Sequence, residues 1–410
     1  MADDFKKRIL ILTADAGFAH RSAATAVAAA LQETRGGECD IVIVNPLDDE
    51  RVLPVLRNSG TDYDRMVREV PDLYRVGYEA SDAAVPTAMF DAALVVMLFE
   101  VMADVVDRYQ PDAIVTTYPL YQAPLGALFA IRRHFTPLLT VVTDLATVHR
   151  IWFHGAAEEC LVATPTVRDL AIECCLEPNR VRITGIPVHP QVIRESRTPA
   201  AIRAVLGWSD EVNLKTVLAV GSKRVGNLQG VVRALNHSGL PLQLAVIAGG
   251  DDELYQQFQS EEWHVPAYVY NFVDNMPELM HASDCIICKA GGLIVTEALA
   301  CGLPLLLVDV LPGQEAGNAD YVVQGGAGEL SPTPLDGLET MCHWLMQGGQ
   351  ALGQRADNAR RLGKPLAAYE VAERAWAAAQ SGPDAGSPLR LLHRSRLVAL
   401  LRHFQVPWVE

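Results

Sequence analysis

Between residues 285 and 321 the chain reads CIICKAGGLIVTEALACGLPLLLVDVLPGQEAGNADY, and no other segment narrows its possible folds so far. Residues 284–288 predict a buried strand, Gly291 and Gly292 a turn, and the run from about Ile294 a helix. A second apolar strand is expected over 304–310, then a polar loop and another helix start within 313–319. A strand that passes through glycines into a helix aims unpaired backbone N–H groups and the positive end of the helix dipole at one point. Phosphates bind at such points. Glu297 follows about one turn inside that helix, while Gln314, Glu315 and Asn318 crowd the next helix start. Carboxylates beside a phosphate site suit the hydroxyls of a ribose or a sugar, so the segment implies a nucleotide-sugar site.

Strands alternate with helices along most of the chain. Apolar strands are expected at 8–14, 39–46, 112–119, 138–144, 160–164 and 181–185, then at 216–222, 242–249, 267–272, 284–289 and 303–309. This rhythm predicts parallel strands covered by helices on both faces. At 410 residues the chain exceeds one core. The fold class is therefore α/β, with two Rossmann-like doubly wound parallel-sheet domains facing across a cleft. Their expected bounds are 1–195 and 205–375, with a polar connection at 189–207 and a basic helical tail at 376–410. Ligands of such sheets sit at the carboxyl ends of the strands.

Composition removes several function classes. A net charge of −15 argues against nucleic acid as a partner, since phosphate neutralisation needs clustered cations. No apolar run reaches the ~18 residues that a membrane span needs. The longest apolar window, 92–102, predicts a buried helix, and MADDFKKRILIL does not resemble a signal peptide. These features lead us to expect a cytoplasmic protein, either free or peripheral on the cytoplasmic membrane face. The 8 cysteines are scattered. Cys285 and Cys288 form a CxxC, but no second pair and no His at ligand spacing accompany it, so buried thiols are expected rather than zinc. Asp251 and Asp252 are the nearest approach to a metal-binding acidic cluster, and nothing around them supplies further ligands.

At the end of the first strand Gly17 allows a sharp turn and His20 opens a helix. An imidazole there, with an ordinary pKa near ~6.5, suits a general base; the same position also suits a His that only caps or hydrogen-bonds. Asp144 closes another strand and either orients His20, contacts an acceptor or caps the next turn; His149, Trp152 and His154 follow it. Gly221, Ser222, Lys223 and Arg224 end the first strand of the second half, where two cations either meet a phosphate or face solvent.

KAGGLIVTEA, GLPLLL and GQEAGNADYVV resemble the donor-binding signature of the family 28 glycosyltransferases, most closely the diacylglycerol glycosyltransferases and more distantly the murein-precursor N-acetylglucosaminyltransferase. GFAHRSAA, PDLYRVGY (71–78), TYPLYQAPL (117–125), VTDLATVHRIWFHG (142–155) and ITGIPVHP (183–190) extend the likeness over roughly residues 8 to 330. The resemblance implies a GT-B fold and inverting, metal-independent transfer of a hexose from a UDP-sugar to a lipid hydroxyl, with diacylglycerol the first candidate. It implies no cofactor beyond the UDP-sugar itself. His20 would then take the acceptor proton, with Asp144 beside it. Gly17, Gly221, Ser222, Lys223, Arg224, Gly291, Gly292 and Leu293 would surround the donor, with Phe272 and Val273 on the uracil. Glu297 would hold the ribose, and Gln314, Glu315 and Asn318 the sugar. Phe18 and Ala19, and again Lys223 and Arg224, replace small residues of the family's loops, so a non-catalytic nucleotide-sugar-binding relative is the alternative, with a UDP-sugar 2-epimerase as another. The tail carries Arg390, Arg394, Arg396 and Arg402 beside a leucine-rich stripe ending at Trp408, which suggests a peripheral membrane contact or a helix packed back on the protein.

Overall fold

The computed structural model of the protein describes residues 6–16, 18–57, 82–222, 225, 227–311, 315–346 and 349–384. Their strands form two six-stranded sheets in which every pairing is parallel. The first sheet holds β1 (Lys7–Leu12), β2 (Cys39–Val44), β3 (Ala113–Thr116), β4 (Leu138–Val141), β5 (Glu159–Val162) and β6 (Val181–Ile183). Its helices are α1 (Phe18–Arg35), α2 (Pro54–Arg57), α3 (Ala84–Tyr109), α4 (Gln122–Arg132) and α5 (Pro165–Glu173). After Pro190 come α6 (Gln191–Arg194), α7 (Pro199–Leu206), β7 (Lys215–Val220), α8 (Leu228–Asn236), β8 (Leu242–Ile247), α9 (Asp252–Gln259) and β9 (Ala267–Tyr270). They are followed by α10 (Met276–His281), β10 (Cys285–Lys289), α11 (Gly292–Ala300), β11 (Leu305–Asp309), α12 (Ala316–Gln324) and β12 (Gly328–Leu330). Finally come α13 (Pro334–Leu345), α14 (Gln350–Leu362) and α15 (Ala367–Ser381).

The doubly wound arrangement follows from strands that are apolar on both sides. In β1, Ile9 and Ile11 pack under Val27 and Leu31 of α1, while Leu10 and Leu12 meet Leu94 and Leu98 of α3 on the opposite face. Covering both faces is what permits an all-parallel sheet. The second sheet repeats this, with Val217, Leu244 and Ile287 against Val231 of α8 and Trp344 of α13.

Two domain expectations change. The segment 189–207 is no bare connection: the boundary falls between Pro190 and Gln191, and α7 buries Ile202 and sets Arg203 Nη2 2.9 Å from Asp284 Oδ2. The second unit also ends at Pro365 rather than at 375, because the chain re-enters the first unit at Leu366. There α15 buries Val371, Ala375 and Trp376 against the β1 and α1 core, and Tyr369 Oη donates to Glu33 Oε2 at 2.6 Å. Alanines on both α1 and α15 allow that close approach. The expected tail beyond residue 384 and the PDLYRVGY segment lie outside the described residues.

The helix expected to be buried over 92–102 is only half so. Leu94, Leu98, Val101 and Met102 of α3 are buried, whereas Met89 is 70% and Val96 84% exposed. Among the described residues no helix is long and apolar enough to cross a membrane.

Strand order positions the chemistry. The first sheet runs β2-β1-β3-β4-β5-β6 and the second β12-β11-β10-β7-β8-β9. Winding thus reverses between β1 and β3 and between β7 and β10, and carboxyl ends at a reversal leave a crevice for ligands.

Trp376→Ala is expected to cost the first unit about 3–5 kcal/mol, the usual scale for emptying a buried aromatic site. Denaturant unfolding followed by far-UV dichroism measures it, and a shift below about 1 kcal/mol would show that α15 is dispensable to that core.

Candidate active site

At the first reversal, the carboxyl ends of β1, β3 and β4 bring threonines around His20. Thr117 Oγ1 lies 3.0 Å from Thr13 Oγ1 and 3.0 Å from His20 O, and Tyr121 Oη donates to Thr13 O at 2.9 Å. His20 Nδ1 is 2.9 Å from Thr117 O and 2.9 Å from Thr143 Oγ1. A carbonyl oxygen only accepts, so Nδ1 carries the hydrogen and Nε2 keeps its lone pair. Burial pushes the imidazole pKa down to about 4, opposed by the bond to Thr117. His20 is therefore neutral at pH 7, the form a base requires. Tyr118 meets the ring edge-on with centroids 4.9 Å apart, and Trp152 lies 5.9 Å away on the same scale.

Asp144 is linked to this group through Trp152. Its Oδ2 accepts from Trp152 Nε1 at 2.8 Å, and Trp152 in turn stands beside His20. His149 and His154 serve the backbone: their Nδ1 atoms accept from Ile151 N and Ala156 N, each at 3.1 Å. The threonines were not anticipated from the sequence, although Thr143 directly precedes Asp144 and Thr117 opens the TYPLYQAPL segment.

At the second reversal, Gly221 follows β7 and Gly291 follows β10. Gly221 N donates to Ile247 O at 2.7 Å, and a Cβ on Gly249 (φ +67°) would stand 2.1 Å from Gly221 O, so the turn at Gly249 fits only as glycine. Gly291 is the N-cap of α11, and no side chain caps that end. The first N–H groups of α11, from Gly292 and Leu293 onward, are thus left for an anion. Glu297 is half-buried one turn further on. Among the described residues nothing hydrogen-bonds to its carboxyl, and burial alone pushes its pKa up to about 7.

The next helix start is more occupied than expected. Glu315 is 6% exposed, pairs with Lys289 Nζ and accepts from Leu311 N at 3.0 Å. Asn318 donates from Nδ2 to Ala290 O at 2.9 Å. After β9, Phe272 is 62% exposed and Val273 half-buried, which leaves the aromatic ring available to a ligand. Gly17, Lys223, Arg224 and Gln314 lie outside the described residues, and Ser222 is half-buried.

Asp251 caps α9, accepting from Glu253 N and Leu254 N, and Asp252 accepts from Asn271 Nδ2 at 2.8 Å. Among the described residues no three His, Cys, Asp or Glu side chains group to hold a metal ion. Cys285 and Cys288 are buried and free, with burial raising both thiol pKa values.

Residues 20–188 match the family model for monogalactosyldiacylglycerol synthase, and residues 217–365 match the glycosyltransferase family 28 C-terminal domain. The monogalactosyldiacylglycerol synthase of Spinacia oleracea is 32% identical over 377 residues, covering 89% of this chain and 71% of that protein. Synthase 3 of Arabidopsis thaliana is 32% identical over 375 residues, covering 89% of this chain and 80% of that one. The chain belongs to the monogalactosyldiacylglycerol synthase family. It is a UDP-sugar-dependent glycosyltransferase of family 28. These relatives are designated chloroplastic, which overturns the expectation of a cytoplasmic protein. Among solved structures, Acinetobacter baumannii MurG aligns with a TM-score of 0.58 at 14% identity, covering 91% of this chain and 99% of that one. A UDP-GlcNAc 2-epimerase from Neisseria meningitidis aligns at 0.57 and 13% identity, covering 90% and 99%. At such identities both share the GT-B fold alone.

Glu297 offers a test of its burial. With a folded pKa near 7 against an ordinary 4.5, the folded protein keeps a proton that the unfolded chain loses in between. Stability therefore falls as pH rises through that window. Glu297→Gln is expected to be more stable than the parent at about pH 8, with the gap closing by about pH 5. Equal unfolding midpoints at both pH values would show that the carboxylate carries no such cost.

Proposed function

We propose that this enzyme transfers a hexosyl group, with galactose as the first candidate, from a UDP-sugar to the hydroxyl of diacylglycerol, with inversion and without a metal ion. The observation that carries this reading is the neutral His20, whose Nδ1–H is tied to Thr117 O and whose Nε2 is left as the base. The acceptor hydroxyl gives its proton to Nε2 as its oxygen attacks the anomeric carbon. The bond from that carbon to the diphosphate breaks, and the electron pair leaves with UDP. Thr117 O steadies the imidazolium that forms. The uncapped N-terminus of α11 meets the growing charge on the diphosphate. Glu297, without a competing partner among the described residues, accepts from the ribose hydroxyls. Acceptor and donor classes come from the family, since its named members are monogalactosyldiacylglycerol synthases.

The test is release of UDP from a panel of UDP-sugars, with and without diacylglycerol and with EDTA present. Turnover is expected with UDP-galactose only when diacylglycerol is added, and EDTA should leave it unchanged. His20→Ala should keep nucleotide affinity and lose about 10²–10⁴ in rate. Nucleotide binding without turnover would instead identify a non-catalytic relative.

Contact with a bilayer surface belongs to the same proposal, because the acceptor resides there. Supporting it, Val85, Met89, Phe90 and Val96 of α3 are 64%, 70%, 43% and 84% exposed. Asp91, the lone charged residue between 84 and 99, is buried. This helix packs on the turns Pro119–Tyr121 and Arg150–Trp152, which flank His20. Met89→Glu with Val96→Glu should abolish co-sedimentation with diacylglycerol-containing vesicles while leaving UDP binding intact; undiminished pelleting would remove α3 from the contact.

A further inference from the structure

β10 and β11 keep register up to Cys288 and Leu307, then slip so that Lys289 pairs with Asp309. Such a slip re-aims a side chain at a strand end. Lys289 stands two residues before the N-cap of α11, and its stem crosses Gly291. A Cβ on that glycine would lie 3.2 Å from Lys289 Cε and 3.4 Å from Nζ. The ammonium is thus carried over the uncapped helix end, where Glu315 meets it. Side-chain exposure is 18% for Lys289 and 8% for Glu315, so the pair is largely withdrawn from water. Beside it, Asn318 binds Ala290 O through Nδ2 while its buried Oδ1 has no partner, an acceptor left open at the same spot.

We infer that Lys289 is the cation facing the donor diphosphate, and that Glu315 is a positioning residue acting through Lys289 rather than a ligand of the sugar. The inference rests on the reading of α11 as the diphosphate site. An ammonium has three N–H donors, and Glu315 takes one; among the described residues no other acceptor binds it. The others are free for phosphate oxygens, where charge-assisted bonds are strong. Glu315 has the opposite standing. One oxygen holds the ammonium and the other the Leu311 N–H, in a nearly closed environment. Turning it toward a sugar hydroxyl would break its bond to the ammonium and strand the Leu311 N–H. Leaving a part-buried donor unpaired costs more than a neutral hydroxyl bond returns.

Calorimetry with uridine, UDP and the UDP-sugar that the enzyme turns over separates these roles. Lys289→Met should weaken UDP about tenfold or more and leave uridine unchanged, with Lys289→Arg restoring most of the loss. Should Lys289→Met fail to fold, Lys289→Gln keeps a donor to Glu315 without the charge and carries the same expectation. Glu315→Gln should weaken UDP and the UDP-sugar by one common factor, and add nothing in the Lys289→Met background. Parent-like UDP affinity in the Lys289 variants overturns the first half. Loss confined to the UDP-sugar in Glu315→Gln overturns the second and makes Glu315 a sugar ligand. If the parent protein binds uridine but gains nothing from the diphosphate, the reading of α11 fails, and this inference falls with it.

Discussion

Each sheet changes its direction of winding once, and the functional groups hang from those two changes. Between β1 and β3, and between β7 and β10, neighbouring strands send their connections to opposite faces. Their carboxyl ends are then free of crossing chain, so a ligand can reach backbone and side chains there. Thr13 and Thr117 stand at one reversal and brace His20; Gly221 and Gly291 stand at the other and open the N-terminus of α11. The reversals depend in turn on strands apolar on both faces, because a doubly wound sheet needs helices on each side.

Burial, more than pairing, sets the charge state of the two central groups. Withdrawal from water opposes ionisation, so it lowers the pKa of His20 and raises that of Glu297. The imidazole stays neutral, with its hydrogen held on Nδ1 by a carbonyl. The carboxyl is balanced between acid and anion, so donors brought by a ligand would tip it to the charged form. Glu315 differs in having partners, Lys289 Nζ on one oxygen and the Leu311 N–H on the other.

Much of this was legible in the sequence. Alternating apolar runs located the strands of both sheets to within a few residues, apart from the three-residue β12, too short to show a pattern. The glycine-bearing KAGGLIVTEA segment announced α11, and its carboxylate at Glu297 is half-buried and unpartnered among the described residues. Other features were not legible. The polar, proline-bearing stretch at 189–207 looks like a linker, yet α7 buries Ile202 under contacts supplied by residues far along the chain. α15 follows the second unit in sequence but packs in the first, since its apolar face complements α1 and β1. Lys289 gave no sign of its buried pairing, because a lysine ending a strand is ordinarily solvated.

The sequence by itself determined the α/β class, the strand and helix succession, the family and the glycine turns that a helix N-terminus needs. Those properties are local: periodicity two or near four, a missing Cβ, an apolar run of a given length. Tertiary structure decided the strand order, the return of α15, the tautomer of His20 and the pairing of Lys289 with Glu315. Each of these joins residues remote along the chain, as His20 with Thr117 and Thr143, and their energies depend on distance and exclusion of water, which no sequence pattern encodes.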